Sequence, residues 1–202
     1  ARVFPYQLLS AYAMTGEGVP EIVRDALQDA LEVALENVPE LPGQVYVLLD
    51  VSGSMASPIT GQRKGATSKV RCVDVAALIA AALSAKNLAT KILAFDTEVH
   101  AVQLNRRDSV LTQAKTLAAF CGGGTDCGRP LAKLNKGKAA GDLVIYVSDN
   151  ESWADPQRGR GTETMKQWEI FRQRNPKAGL VCIDLQPYGS TQAQTREDVL
   201  NV

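Results

Sequence analysis

Three short segments of this chain carry oxygen-bearing side chains at spacings that suit a hard cation. Asp50-Val51-Ser52-Gly53-Ser54-Met55 alternates a carboxyl with two hydroxyls. Thr125-Asp126 follows the run Gly122-Gly123-Gly124, and Ser148-Asp149-Asn150-Glu151 closes an apolar stretch. Asp50, Ser52, Ser54, Thr125 and Asp149 offer oxygen only, with no nitrogen or sulfur, a set that favours magnesium or manganese over zinc or copper. Alternation along a strand end points the oxygens of Asp50, Ser52 and Ser54 to one side, and Gly53 lets the backbone bend between the two serines. Hydroxyls are weak, neutral ligands. With hydroxyls in the inner shell and carboxylates holding coordinated waters, an ion keeps much of its charge. One exchangeable position is then open to an incoming carboxylate. That is the chemistry of binding an acidic group rather than of turnover.

The same residues have plainer uses. Asp50 and Ser54 suit the start of one helix, and Thr125 the start of another. Asp126 and Glu151 flank the candidate site. They suit either hydrogen bonds to its waters and hydroxyls or, for Asp126, the positive end of a helix and, for Glu151, simple exposure. An alternative from another class is a magnesium-dependent phosphoryl-transfer enzyme or nuclease, because hydrolases of the haloacid-dehalogenase type also place an aspartate after their first strand. Those need a second carboxylate two residues on, where this chain has Ser52. No nucleophile and general acid can both be named, so the chain is expected not to be an enzyme.

Other motifs fail on inspection. Gly61-Gln62-Arg63-Lys64-Gly65-Ala66-Thr67 lacks the Gly-Lys-Ser/Thr ending of a phosphate-binding loop. Gly122–Gly128 does not directly follow the first strand, as a dinucleotide fingerprint would. His100, the single histidine, has no Ser or Cys nucleophile arranged with it. Arg63, Lys64, Lys69 and Arg71 place four positive charges and no negative one in residues 60–71. Such a run reads as a solvated loop, or as a patch steering acidic protein or RNA phosphates towards the rim. Trp153 is a candidate for the same rim or for packing.

Positioning these groups requires a scaffold, and its elements are legible. Ile22, Val23, Ala26, Leu27, Ala30, Leu31, Ala34 and Leu35 form a helical stripe after Pro20, within a helical lead-in over residues 1–40. Pro39-Glu40-Leu41-Pro42-Gly43 breaks the chain, and a domain over residues 41–202 follows. Residues 44–50, 91–95, 142–148 and 180–185 are apolar runs of strand length, of the kind buried on both faces of a parallel sheet. Helical stretches at 69–88, 108–120, 127–136 and 162–174 separate them. This order predicts an α/β fold, a three-layer αβα sandwich around a mostly parallel, doubly wound, Rossmann-like sheet. Residues 99–104 are expected to return as one antiparallel edge strand, and residues 198–202 to begin another strand. In such sheets the working loops lie at the carboxyl ends of the strands, where all three oxygen-rich segments fall.

Composition bounds the remainder. The 202 residues are 45% apolar and 22% charged, with 22 basic side chains against 22 acidic ones. A net charge of zero excludes a chain-wide nucleic-acid or membrane-surface role. No apolar run approaches a membrane span. Cys72, Cys121, Cys127 and Cys182 form no Cys-x-x-Cys pair, so reduced thiols and a cytoplasmic setting are expected. Ala1-Arg2-Val3-Phe4-Pro5 has neither an initiator Met nor a signal-peptide pattern, as a piece of something longer would.

Asp50-Val51-Ser52-Gly53-Ser54 resembles the Asp-x-Ser-x-Ser signature of von Willebrand factor A domains. In that family the motif joins a later threonine and a later aspartate in a metal-ion-dependent adhesion site (MIDAS), and Thr125 and Asp149 match those positions in order. Gly123-Gly124-Thr125-Asp126-Cys127 and Ser148-Asp149-Asn150-Glu151-Ser152-Trp153-Ala154 resemble, more narrowly, the A domain of the Ro ribonucleoprotein (TROVE-module) family of bacterial type. The lead-in Val3–Tyr12 is similar to that family's segment between its helical-repeat ring and its A domain. The resemblance implies a von Willebrand factor A fold and Mg2+ or Mn2+ on Asp50, Ser52, Ser54, Thr125 and Asp149. It implies an acidic group of a protein partner at that metal and no catalytic residue. It also implies that Y-type noncoding RNA and misfolded RNA bind the ring rather than this domain. The expected departure is a chain that stops before the family's final helix.

Overall fold

Strand β1 (Val45–Asp50) is buried along its whole length, which only a central strand with helices on both faces allows. In the computed structural model, which describes residues 5–16, 18–61, 68–149, 162–186, 193 and 195–202, it lies between β2 (Thr90–Phe95) and β3 (Leu143–Ser148). Strands β4 (Gly179–Asp184) and β5 (Val199–Asn201) complete the order β2-β1-β3-β4-β5, and every pairing is parallel. Asp50 lies opposite Phe95, Leu49 opposite Val147, and Ser148 opposite Asp184, so the carboxyl ends of four strands are level.

Alternation within the strands makes the layers. Val45, Val47, Leu49, Ile145 and Val147 face one apolar cluster together with α3 (Cys72–Lys86) and α4 (Val110–Ala118). Tyr46, Leu48, Val144 and Tyr146 face the other, beneath α5 (Arg129–Lys136) and α6 (Glu163–Arg174). The result is the three-layer αβα sandwich expected from the sequence, with helices on both faces of a doubly wound sheet. Helix α3 is apolar nearly all round, and ten of its residues are buried. Ser109 and Thr162 cap α4 and α6 by accepting from the backbone N–H groups of Thr112 and Met165.

The lead-in contributes α1 (Pro5–Ala13) and α2 (Glu21–Ala34). Leu9 and Leu31 from these helices join the α3–α4 cluster. The apolar stripe of α2 is only half used: Leu31 and Ala34 are buried, but Ile22 is 75% exposed. At the junction into β1, Gly43 has φ +79° and a Cβ there would collide with the Asp142 carboxylate. That carboxylate accepts from the Gln44 N–H at 2.8 Å, tying the starts of β1 and β3 together.

One element differs from expectation. Residues 99–104 form no antiparallel edge strand; a single antiparallel bridge joins Phe95 and Val99. Asp96 is the cause. Its carboxylate accepts from the Glu98 N–H at 2.8 Å and turns the chain sharply. His100 N–H still reaches Ala94 O at 2.9 Å, but Val102 and Leu104 then pack against the α3–α4 cluster instead of extending the ladder. Residues 198–202 do supply a strand, β5, which is parallel. Among the described residues no helix is long and apolar enough to cross a membrane.

Candidate metal centre

Asp50 ends β1 and Ser148 ends β3, so their side chains meet at the carboxyl edge of the sheet. Asp50 is fully buried, and both its oxygens are taken. Oδ1 accepts from the Ser52 N–H at 2.8 Å, and Oδ2 accepts from the Ser148 hydroxyl at 2.6 Å. After Ser52 the chain leaves the strand through a single 3₁₀ turn, Gly53–Ala56. That turn folds Ser54 back, so that its hydroxyl lies 3.1 Å from the hydroxyl of the fully buried Ser52.

Thr125 arrives on a loop that the backbone locks against this turn. Gly122 N–H donates to Val51 O at 2.8 Å, and Gly53 N–H donates to Gly123 O at 2.9 Å. Asp126 N–H donates to Asp96 O at 3.0 Å on the other side. Gly123 has φ +72°, and a Cβ there would lie 2.8 Å from Asp96 Oδ2, so only glycine passes without strain. Thr125 and Asp149 are each 2% exposed. The sequence-predicted residues therefore come from three loops at one edge of the sheet, four of them buried and Ser54 half-buried.

The electrostatics of this corner are unbalanced. Burial pushes the Asp50 carboxyl up to about 6. Hydrogen bonds from Ser148 and Ser52 oppose the rise, and the neighbouring Asp149 charge adds to it. Burial likewise raises the thiols of Cys72 and Cys121 at its border. Two buried carboxylates with neutral hydroxyls beside them fit a hard divalent cation, which relieves the repulsion and accepts the spare oxygen lone pairs. Among the described residues no group of three or more His, Cys, Asp and Glu is placed to hold a metal ion, so a cation here would depend on the hydroxyls.

The capping alternatives separate cleanly. Helix α5 is preceded by Gly128 with no side-chain cap, so Thr125 does not cap it. Asp126 does serve the helix start: it accepts from the Gly128 N–H at 3.0 Å and pairs with Arg129 at 3.1 Å. His100 is structural. Its Nε2 lies 3.0 Å from Asp96 Oδ2, and its ring lies on Phe120, 5.4 Å between centroids. Arg71 turns away to pair with Asp74 at 2.7 Å, while Lys69 is exposed. Arg63, Lys64, Glu151 and Trp153 lie outside the described residues.

Sequence reasoning missed Ser148, the buried donor to Asp50, and Asp96, which anchors the glycine loop. The signal for Ser148 was its place at the end of the neighbouring strand, level with Asp50. Cys121, half-buried at the edge of this corner, donates from its Sγ to Ser52 O at 3.5 Å.

The chain is 26% identical over 216 residues to the RNA-binding protein RO60 of Deinococcus radiodurans, an alignment covering all of this chain and 38% of the relative. Its fold is similar to the crystal structure of the Deinococcus radiodurans RO (RSR) protein, with a TM-score of 0.73 at 19% identity, over 99% of this chain and 41% of that one. The chain thus spans about two fifths of the length of these relatives. The sequence profile of the Ro60 vWA domain matches residues 44–198, which hold the whole sheet up to the start of β5 and all five candidate ligands, and the chain belongs to the Ro60 vWA domain family.

Proposed function

We propose that this chain is the metal-dependent ligand-binding module of a Ro-type RNA-binding protein, holding Mg2+ or Mn2+ at a MIDAS that presents an open position to an acidic group of a protein partner. The observation that carries this reading is the arrangement around Asp50. Ser52 and Ser54 hold their hydroxyls 3.1 Å apart beside a carboxylate whose two oxygens already accept hydrogen bonds. Ser52, Ser54 and Thr125 are the direct ligands in this reading, and Asp50 and Asp149 hold coordinated waters and balance the charge. The bound ion supplies a Lewis-acidic position for an incoming carboxylate.

The same arrangement disfavours phosphoryl transfer. A nucleophilic Asp50 would need an accessible oxygen, and its carboxylate is fully buried with both oxygens occupied. This supports reading the module as a binder rather than an enzyme. In the whole cytoplasmic protein, Y-type and misfolded RNAs are engaged by a helical-repeat ring elsewhere in the chain. The RNA part of this reading is supported by the name of the Deinococcus relative, an RNA-binding protein, and the ring and the RNA classes are what the family resemblance implies.

Calorimetry with MgCl2 and MnCl2 on the 202-residue chain and on Asp50→Ala tests the site. Binding in the parent that is lost in the variant supports it; equal affinity in both rejects it. Immobilised poly-glutamate, tested with Mn2+ and then with EDTA, tests the acidic ligand. Retention that ignores the chelator contradicts an open metal position.

A further inference from the structure

The chain as a whole is electrically balanced, but its cations are unevenly spread. From Arg129 to Gly141 the sequence holds four cations (Arg129, Lys133, Lys136, Lys138) and no carboxylate. From Ile170 to Ala178 it holds Arg172, Arg174 and Lys177, and again no carboxylate. Helix α5 sets Arg129, Lys133 and Lys136 on one exposed face at helical spacing, while Pro130, Leu131 and Leu134 on the other are buried.

The end of α6 brings its cations to the same place, because two asparagines clip the helix ends together. Arg174 Nη2 donates to Asn135 Oδ1 at 2.6 Å, and Asn135 Nδ2 donates to Gln167 O at 2.9 Å. Asn175 Nδ2 donates to Ala139 O at 3.2 Å, and its Oδ1 accepts from the Gly141 N–H at 3.1 Å. Other cations of this region are neutralised: Lys166 pairs with Glu163, Arg172 with Asp198, and Arg196 with Glu169 and Asp198. Lys133, Lys136, Lys138, Arg174 and Lys177 are exposed and make no ion pair among the described residues.

Lys138 adds an independent sign. It has φ +51° and is the one non-glycine among the described residues with positive φ. Glycine is the ordinary occupant of such a position after a helix end, yet here Gly137, with φ −79°, sits one residue too early to relieve it. A strained position thus carries an exposed charge that the fold does not need. Cations at helix ends also complement the dipole, but each end amounts to about half a negative charge. Five unpaired cations exceed what two ends balance.

We infer that the face made by α5 and the carboxyl end of α6 is a docking surface for the phosphate backbone of RNA. Its unpaired cations Lys136, Lys138, Arg174 and Lys177 sit where the chain turns into β3 and β4, at the amino edge of the sheet, whereas the candidate metal centre lies at the carboxyl edge. The face works without metal. The inference rests on the proposed Ro-type reading only in taking the polyanion to be RNA.

The test is fluorescence anisotropy with a labelled 20-nucleotide single-stranded RNA of mixed sequence, titrated with the 202-residue chain over a salt series in EDTA. The triple variant K133Q/K136Q/K138Q is expected to bind at least about 10-fold more weakly, with a salt slope smaller by about two. Lys138→Gly is expected to weaken binding while raising the melting temperature by about 2 °C, which separates lost charge from lost fold. Lys91→Gln, on the far edge strand, is expected to change nothing. Wild-type affinity in the triple variant overturns the inference, and so does poly-glutamate of equal charge competing as well as unlabelled RNA. RNA binding that requires Mg2+ and disappears in Asp50→Ala assigns it to the metal site and also overturns it. Loss of metal binding with RNA binding intact removes the proposed function and leaves this surface standing.

Discussion

The hydroxyl of Ser148 donates to Oδ2 of Asp50 at 2.6 Å, joining the ends of two neighbouring strands through residues 98 positions apart. It is one of the bonds that hold the Asp50 carboxyl near neutral solution pH at all, since burial alone drives it towards protonation. Replacing Ser148 by alanine leaves a buried carboxylate short of a donor. The expected cost is about 1–3 kcal/mol of folding stability, read by urea denaturation in EDTA. A loss near zero would mean that the bond contributes nothing net.

Acidity should act on the metal-free protein with an unusual sign. The Asp50 carboxyl sits at about 6 when folded, above its ordinary value near 4 when unfolded. The folded state keeps the proton longer. This residue's contribution is therefore fullest below about pH 4 and declines as pH rises through about 6, by at most about 3 kcal/mol. Asp50→Asn removes that slope. The stability difference between Asn and Asp forms in EDTA should shift in favour of Asn between pH 4 and pH 8. A pH-independent difference would contradict the burial argument.

Gly123→Ala tests the loop that delivers Thr125. A methyl there meets the Asp96 carboxylate in a left-handed backbone conformation. The expected loss is about 1–2 kcal/mol, together with weaker Mg2+ binding by calorimetry, since Gly123 O also holds the Gly53 N–H. Unchanged stability and unchanged metal affinity together would show that the loop does not position the site.

Asp198 anchors the other end of the sheet. Its carboxylate accepts from Trp168 Nε1 at 2.8 Å and pairs with Arg172 at 2.9 Å and Arg196 at 3.1 Å. Burial pushes its pKa up, yet the Trp168 and Arg196 bonds outweigh burial and leave it below the ordinary carboxylate value. Its contribution is present above about pH 4 and is lost as acid titrates it. Asp198→Ala strands the fully buried Trp168 N–H and should cost about 2–4 kcal/mol by denaturant unfolding, without touching Mg2+ affinity. A fall in Mg2+ affinity would couple two ends that the structure keeps apart.

Much of this fold could be read from residue order because parallel strands buried on both faces are continuous apolar runs. Val45–Leu49 and Leu143–Val147 announce themselves in that way. The edge was harder. Val99, Val102 and Leu104 have strand-like alternation, but the turn at Asp96 and packing against the two apolar clusters decide their path, and neither has a local signature. The stripe of α2 was legible as a helix, while the exposure of Ile22 depends on what packs against it. Asp50, Ser52, Ser54, Thr125 and Asp149 were legible as candidates for one edge because strand ends gather there. Ser148 was not, because its partner is set by strand register. The basic face of α5 and α6 escaped notice for the same reason: its two halves lie about forty residues apart and come together only in the fold, where Asn135 and Asn175 join the helix ends.

Diffraction from crystals of the chain soaked in MnCl2, recorded at a wavelength where manganese scatters anomalously, tests the central claim most directly. The account predicts one strong anomalous peak within bonding distance of the Ser52, Ser54 and Thr125 hydroxyls, absent from crystals of Asp50→Ala. No peak at that corner in saturating MnCl2, or one that persists in the variant, would contradict it.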